Sequence, residues 1–188
     1  VLVQRGDNGS MGDLACIAYE DLIYYQSFDR AWLHEVLTSQ PLSQVLDLDW
    51  NYQIRVIQPA VSYDFLVGWT KEPAISSDLI RQVKGAIKED FLKESQTAVK
   101  NLEKGLREGS QNEIEASIQR ADQNLKSLNH LIYTQALKVL QQATEGLSAC
   151  AKCSGAGGGD CGIALSFDPV ETQTLIDRWK EQDIEVIY

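Results

Sequence analysis

No run in this 188-residue sequence approaches eighteen consecutive apolar residues, so no segment reads as a membrane-spanning helix. The first residues, Val1-Leu2-Val3-Gln4-Arg5-Gly6-Asp7, lack the apolar core and small-residue cleavage site of a secretory signal. Both absences predict a cytoplasmic protein with no membrane contact. Positive charge is in short supply, because 17 Lys and Arg stand against 27 Asp and Glu for a formal net charge of −10. A polyanion would meet a repulsive field, so no nucleic acid partner is expected. Histidine is scarce as well: His34 and His130 each stand alone, with no second ligand at metal spacing. Of the four cysteines, Cys150 and Cys153 make one Cys-x-x-Cys pair, and Cys16 and Cys161 lie elsewhere. A structural zinc site of this kind wants a second close pair. A redox pair belongs between a strand and a helix N-terminus, whereas small or apolar residues flank this one. Reduced thiols without a metal are the expectation, with zinc and redox roles as the rivals.

What is present suits a chain that buries a core: 44% hydrophobic and 23% charged residues. Residue 1 is not methionine and stands among apolar residues, which predicts a piece of a longer protein. Leu14, Ile17, Ala18, Leu22 and Tyr25 keep helical spacing behind Ser10-Met11-Gly12-Asp13, a capping box with Asp in place of Glu, so a helix is predicted over 11–26. A second helix is predicted over 30–37, closed by Pro41. Strands are predicted over 50–59 and 63–70, and Ser76 or Ser77 caps a helix carrying Leu79, Ile80, Val83 and Ile87. From 94 to 146 there is no proline, and Ile114, Ile118, Ala121, Leu125, Leu128 and Ile132 recur at helical spacing. This predicts helices broken near 105–109 and near Asn129, packed on a sheet in preference to a coiled-coil arm. Strands over 147–152 and 162–167, a helix with Leu175, Ile176 and Trp179, and a strand over 184–188 complete the chain. The fold class is α+β, a small, mostly antiparallel sheet covered by helices.

The stretch Lys152-Cys153-Ser154-Gly155-Ala156-Gly157-Gly158-Gly159-Asp160-Cys161-Gly162 is the densest in chemistry. Its glycines permit positive φ and offer backbone N–H groups, which is what a loop curling around an anion needs. Two common phosphate motifs fail here. Gly157-x-Gly159-x-x-Gly162 fits the dinucleotide pattern, but a strand comes next where a helix is required. Gly157 and Gly162 space like the start of a P-loop, but Ile163 and Ala164 occupy the Lys and Ser/Thr positions. A flexible hairpin without function is the structural alternative.

This stretch resembles the third signature motif of the GHMP kinases, the small-molecule kinases that include galactokinase and homoserine and mevalonate kinases. Arg5-Gly6-Asp7-Asn8-Gly9-Ser10-Met11-Gly12-Asp13, and Phe65-Leu66-Val67-Gly68-Trp69-Thr70-Lys71-Glu72-Pro73 with Ser76-Ser77, narrow the likeness to phosphomevalonate kinases of Gram-positive bacteria. The resemblance implies a ferredoxin-like C-terminal domain over 48–188, the end of an N-terminal domain over 1–47, and a missing N-terminal half with the ATP phosphate loop. It implies ATP-dependent phosphorylation of phosphomevalonate, with ATP and Mg²⁺ as cofactors. Asp13 falls on the active-site aspartate beside the acceptor. Ser154, Gly155, Ala156, Gly157, Gly158 and Gly159 fall on the nucleotide side, and Gly9, Ser10, Thr70, Lys71, Ser76 and Ser77 on the acceptor side. Simpler readings stand beside these: Asp13 as an anion at a helix N-terminus, Ser76 or Ser77 as a cap, Lys71 as a solvated charge. Arg5, Lys71 and Lys152 are candidate cations for offsetting phosphate charge. Another GHMP kinase activity, or a noncatalytic α+β interaction module, is the alternative function.

Overall fold

The computed structural model describes residues 10–73, 83, 85–155 and 157–188, and the chain divides into two compact units, Val1–Gln58 and Pro59–Tyr188. Gly9, Ser76, Ser77 and Ala156, together with the helix expected after Ser76, lie outside the described residues.

The first unit contains α1 (Gly12–Tyr19), β1 (Ile23–Gln26), α2 (Arg30–Ser39), the single turn α3 (Leu42–Val45) and β2 (Gln53–Val56). The helix expected over 11–26 is shorter than its periodicity implies. Glu20 takes a left-handed φ of 52°, its N–H closes on Cys16 O, and the chain then leaves α1 for a strand. The apolar spacing of Leu22 and Tyr25 misleads because Ile23-Tyr24-Tyr25 is β-branched and aromatic, which favours a pleated partner. That partner is β2, antiparallel in the register Ile23↔Val56 and Gln26↔Gln53. This pairing carries the unit beyond Asp47, where the resemblance puts the end of the N-terminal portion. The capping box also differs from expectation. Met11, with φ 66°, is the N-cap and makes no side-chain cap, while Ser10 Oγ accepts from the Gly12 N–H at 3.2 Å. Several apolar side chains of this unit face outward, Ile17 at 72% and Leu46 at 62% exposure among them.

The second unit runs β3 (Asp64–Trp69), α4 (Glu89–Glu108), α5 (Gln111–Leu128), a 3₁₀ turn (His130–Ile132), α6 (Gln135–Gln142), β4 (Ala149–Cys153), β5 (Cys161–Ser166), α7 (Pro169–Glu181) and β6 (Glu185–Val186). The strands form one sheet in the order β4-β5-β3-β6, with every pairing antiparallel. That order is the split β-α-β-β-α-β plan of ferredoxin-like domains. The expected α+β class is therefore the one found. Leu66, Ala151 and Ala164 of the sheet meet Leu140, Leu175, Trp179 and Ile184, and Leu140, Leu175 and Trp179 are fully buried. The Trp179 indole N–H donates to Leu140 O at 2.9 Å, so the ring's polar edge is satisfied inside the core.

Gly109, at φ 71°, ends α4, and the Ser110 hydroxyl caps α5 on the Glu113 N–H. Gly105 does not break the helix as expected. It lies within α4 where α5 crosses, and a Cβ there would meet Ile114 at 3.1 Å. The two helices thus form a hairpin in which α4 packs on α5 and α5 packs on β4. At the start of α7, Asp168 accepts from the Val170 and Glu171 N–H groups, with Pro169 at the first helical position. Asp168→Ala is expected to cost about 1 kcal/mol of stability, read as a lowered Tm with an unchanged fold. Among the described residues no helix is long and apolar enough to cross a membrane.

Candidate functional site

In the second unit the glycine loop, residues 154–160, joins β4 to β5, with Cys153 paired to Gly162 at its base. The Ser154 N–H donates to Cys161 O at 2.9 Å and closes the hairpin. Two pieces of backbone brace the glycines beyond Ser154. On one side, the Gly158 N–H donates to Ile132 O at 2.8 Å. Gly157 packs so tightly there that a Cβ would lie 2.7 Å from Ile132 Cγ2, and its φ of 74° is left-handed. On the other side, the Thr70 N–H and hydroxyl both donate to Asp160 O at 2.8 Å, and the Asp160 N–H returns to Glu72 O at 2.6 Å. The loop is therefore a fixed wall between the 130–133 turn and the 70–73 segment.

This geometry corrects one expectation. The glycine content predicts an open nest of N–H groups, yet Gly157, Gly158 and Asp160 spend theirs on Ser154 O, Ile132 O and Glu72 O. Gly157, Gly158 and Gly159 are buried, while Ser154 and Gly155 are exposed. The physical cause is the rule that buried N–H groups find partners, which a folded loop satisfies internally before a ligand arrives. Among the described residues, no acceptor is paired with the Gly155 or Gly159 N–H or the Ser154 hydroxyl.

Thr70 and Lys71 also have internal partners. Thr70 is buried and its hydroxyl is committed to Asp160 O. Lys71, at φ 61°, places its ammonium 2.5 Å from Asp183, and that hydrogen bond raises its pKa. The Lys152 ammonium donates to Cys153 O. The Cys150 thiol is pushed up to about 12, first by burial and then by the Glu115 charge. Cys161 is raised by burial and by Asp160. Cys150 and Cys153 are three residues apart in a strand, so their side chains leave opposite faces.

In the first unit, Asp13 is exposed in the first turn of α1 and has no ion-pair partner among the described residues. The Ser10 carbonyl, just before it, accepts from the Tyr25 hydroxyl at 3.0 Å, which ties the helix entry to β1. Elsewhere in the second unit, a cavity of about 510 Å³ opens between α5, α6 and β4, lined by Gln119, Asp122, Lys126, Lys138, Gln141 and Cys150 among others. No described residue of the glycine loop lines it. Sequence reasoning missed Ile132 and Tyr133 beneath the loop, because a carbonyl brace has no residue signature and Tyr133 continues a helical pattern.

No family model matches the sequence. The chain is 32% identical over 168 residues to the phosphomevalonate kinase of Streptomyces sp. (strain CL190), covering 84% of this chain and 45% of that protein. It superposes on crystal structures of the Streptococcus pneumoniae phosphomevalonate kinase with TM-scores of 0.95 and 0.96 at 49% identity. All of this chain is covered, against 58% and 57% of those chains, and the second structure is in complex with phosphomevalonate and AMPPNP. The mevalonate kinase of L. major, with a TM-score of 0.61 at 15% identity, shares the fold. The chain thus spans about half the length of these phosphomevalonate kinases.

Proposed function

We propose that this chain, which belongs with the phosphomevalonate kinases of the GHMP superfamily, is the C-terminal part of an enzyme that transfers the γ-phosphoryl of ATP to 5-phosphomevalonate, giving the diphosphate of the mevalonate route to isoprenoids in the cytoplasm. One observation carries the reading: 49% identity over the whole chain to a kinase crystallised with phosphomevalonate and a nucleotide analogue. The chain's own residues support it. Phosphoryl transfer asks a protein for positioning and charge neutralisation more than for covalent chemistry. A preformed glycine wall suits positioning, with the Ser154 hydroxyl and the Gly155 N–H turned toward the nucleotide phosphates. Thr70 holds that wall through Asp160, and with Lys71 it supports the acceptor side, together with Gly9, Ser10, Ser76 and Ser77.

Asp13 orients the acceptor. A phosphate monoester has a second pKa of about 6, so near neutral pH its attacking oxygen is already ionised and a strong base has little to remove. Mg²⁺, when bound, neutralises phosphate charge. It takes one or two carboxylates beside phosphate oxygens, and Asp13, an exposed carboxylate with no ion-pair partner among the described residues, would serve as one of them.

The missing N-terminal half is part of the proposal. It brings the ATP phosphate loop, and it gives the outward apolar side chains of the first unit, Ile17 and Leu46 among them, a surface to pack against. The 188-residue chain alone is expected to release no phosphomevalonate-dependent ADP, because one glycine loop cannot supply all the phosphate contacts. Joined to an N-terminal half of the length its relatives have, it is expected to turn over. ADP release from the chain alone overturns the division of labour, and a complete protein that ignores phosphomevalonate but phosphorylates another small molecule reassigns the substrate.

A further inference from the structure

We propose that Tyr133 is a positioning residue for the glycine loop, holding one end of it while its chain neighbour Ile132 holds the other. The inference rests on the reading of that loop as the nucleotide side of the site. Among the described residues β4 is an edge strand, so the N–H groups on its outer side have no strand there to pair with. The last of its residues, Cys153, sends its N–H to the Tyr133 hydroxyl at 3.2 Å, one residue before the loop begins. Ile132 O then takes the Gly158 N–H at 2.8 Å on the far side of the loop. Two consecutive buried residues at the end of one turn, 1% and 3% exposed, therefore set the positions of residues 153 and 158 at once.

The turn is itself held by polar contacts. Asn129 caps it through the Leu131 N–H. The Lys126 ammonium stands 4.7 Å from the centre of the Tyr133 ring and 2.8 Å from Asp122. Gln141 donates to Asp122 Oδ2 at 2.7 Å and accepts from Lys126. Asp122 Oδ1 is buried and without a hydrogen-bond partner among the described residues. Burial first, then Asp122 and Cys153, raise the phenol pKa, so the hydroxyl keeps its proton. The Tyr133 hydroxyl accepts from the Cys153 N–H, while Lys126 links the Tyr133 ring to the Asp122–Gln141 pair across α5 and α6. Loop position is thereby tied to packing between α5 and α6.

Tyr133→Phe removes one oxygen and keeps the ring. In the complete kinase we expect the KM for ATP to rise about three- to thirtyfold, with kcat within about twofold and the KM for phosphomevalonate unchanged. In the chain itself, the Gly158 and Cys153 amides are expected to lose protection from hydrogen exchange. Leu125→Ala, cut from the same apolar cluster around Ile132 and Tyr133, serves as the packing control: it lowers Tm but leaves the KM for ATP alone. If Tyr133→Phe fails to fold, Asp122→Asn carries the test, with a smaller rise in the same constant. An ATP KM that moves no more in Tyr133→Phe, or in its replacement Asp122→Asn, than in Leu125→Ala overturns the proposal. Gly157→Val separates the two levels. If it raises the KM for ATP and the Tyr133 variant does not, the positioning role alone falls; if neither does, the reading of the loop falls and takes this role with it.

Discussion

Gly157→Val in the complete kinase is expected to raise the KM for ATP by about tenfold or more, the equivalent of losing one good phosphate contact. Two independent features make valine intolerable there. The φ of 74° lies where a β-branched residue pays a steric penalty, and the space a side chain needs is held by the carbonyl and side chain of Ile132. The loop must therefore leave Ile132, and the Gly158 hydrogen bond goes with it. The hairpin beneath should survive, because the register from Ala149↔Ser166 to Cys153↔Gly162 does not involve residue 157. Gly155→Ala is a useful contrast for the fold alone: its φ is also positive, at 58°, but nothing lies within 4 Å of the added carbon. That change should cost about 1 kcal/mol in stability and leave the wall in place. A Gly157→Val protein with native circular dichroism and unaltered ATP kinetics would return the loop to a turn without function.

Asp13→Asn should lower kcat about 10²-fold, the scale of a reacting group held slightly out of place. The pH profile distinguishes orientation from proton removal. If Asp13 orients the acceptor, the deficit stays level from about pH 6 to 9, since ionising phosphomevalonate does not restore the missing charge. If Asp13 removes a proton in the limiting step, the loss is about 10² to 10⁴ and shrinks as rising pH ionises the acceptor. The measurement is kcat against pH for both proteins with the chemical step limiting. A deficit that shrinks about tenfold per unit below the acceptor's pKa refutes orientation. Near wild-type kcat throughout leaves Asp13 as a helix-end anion.

How much of the molecule is legible in its residues varies with range. The β4 and β5 strands, their glycine connection and α7 are readable because clustered glycines between two short apolar runs, and the helical spacing of Leu175, Ile176 and Trp179, are local signals. Helix ends at Gly109 and Asn129 are readable for the same reason. β1 is not, since Leu22 and Tyr25 fit a helical period by coincidence and the strand exists only through β2, about 30 residues further on. The loop is evident from its glycines, but the state of its amides is not. Composition shows that N–H groups are present, and only tertiary partners such as Ile132 O and Glu72 O show that they are already engaged. Tyr133 leaves no trace because a phenol beneath a loop looks, in sequence, like any core aromatic.

Thr70 and Asp160 are 90 residues apart, yet their hydrogen bonds hold one side of the loop. Such a contact cannot form during synthesis until β5 and the loop have left the ribosome, and closing so long a span is slow compared with forming α4 or α5. Nascent chains that end before the loop therefore contain the helices and none of the nucleotide-facing wall. Protection by nucleotide then reports a paired sheet: a protease-resistant, ATP-responsive population among stalled chains should appear only once β5, through Ser166, is free to pair with β3.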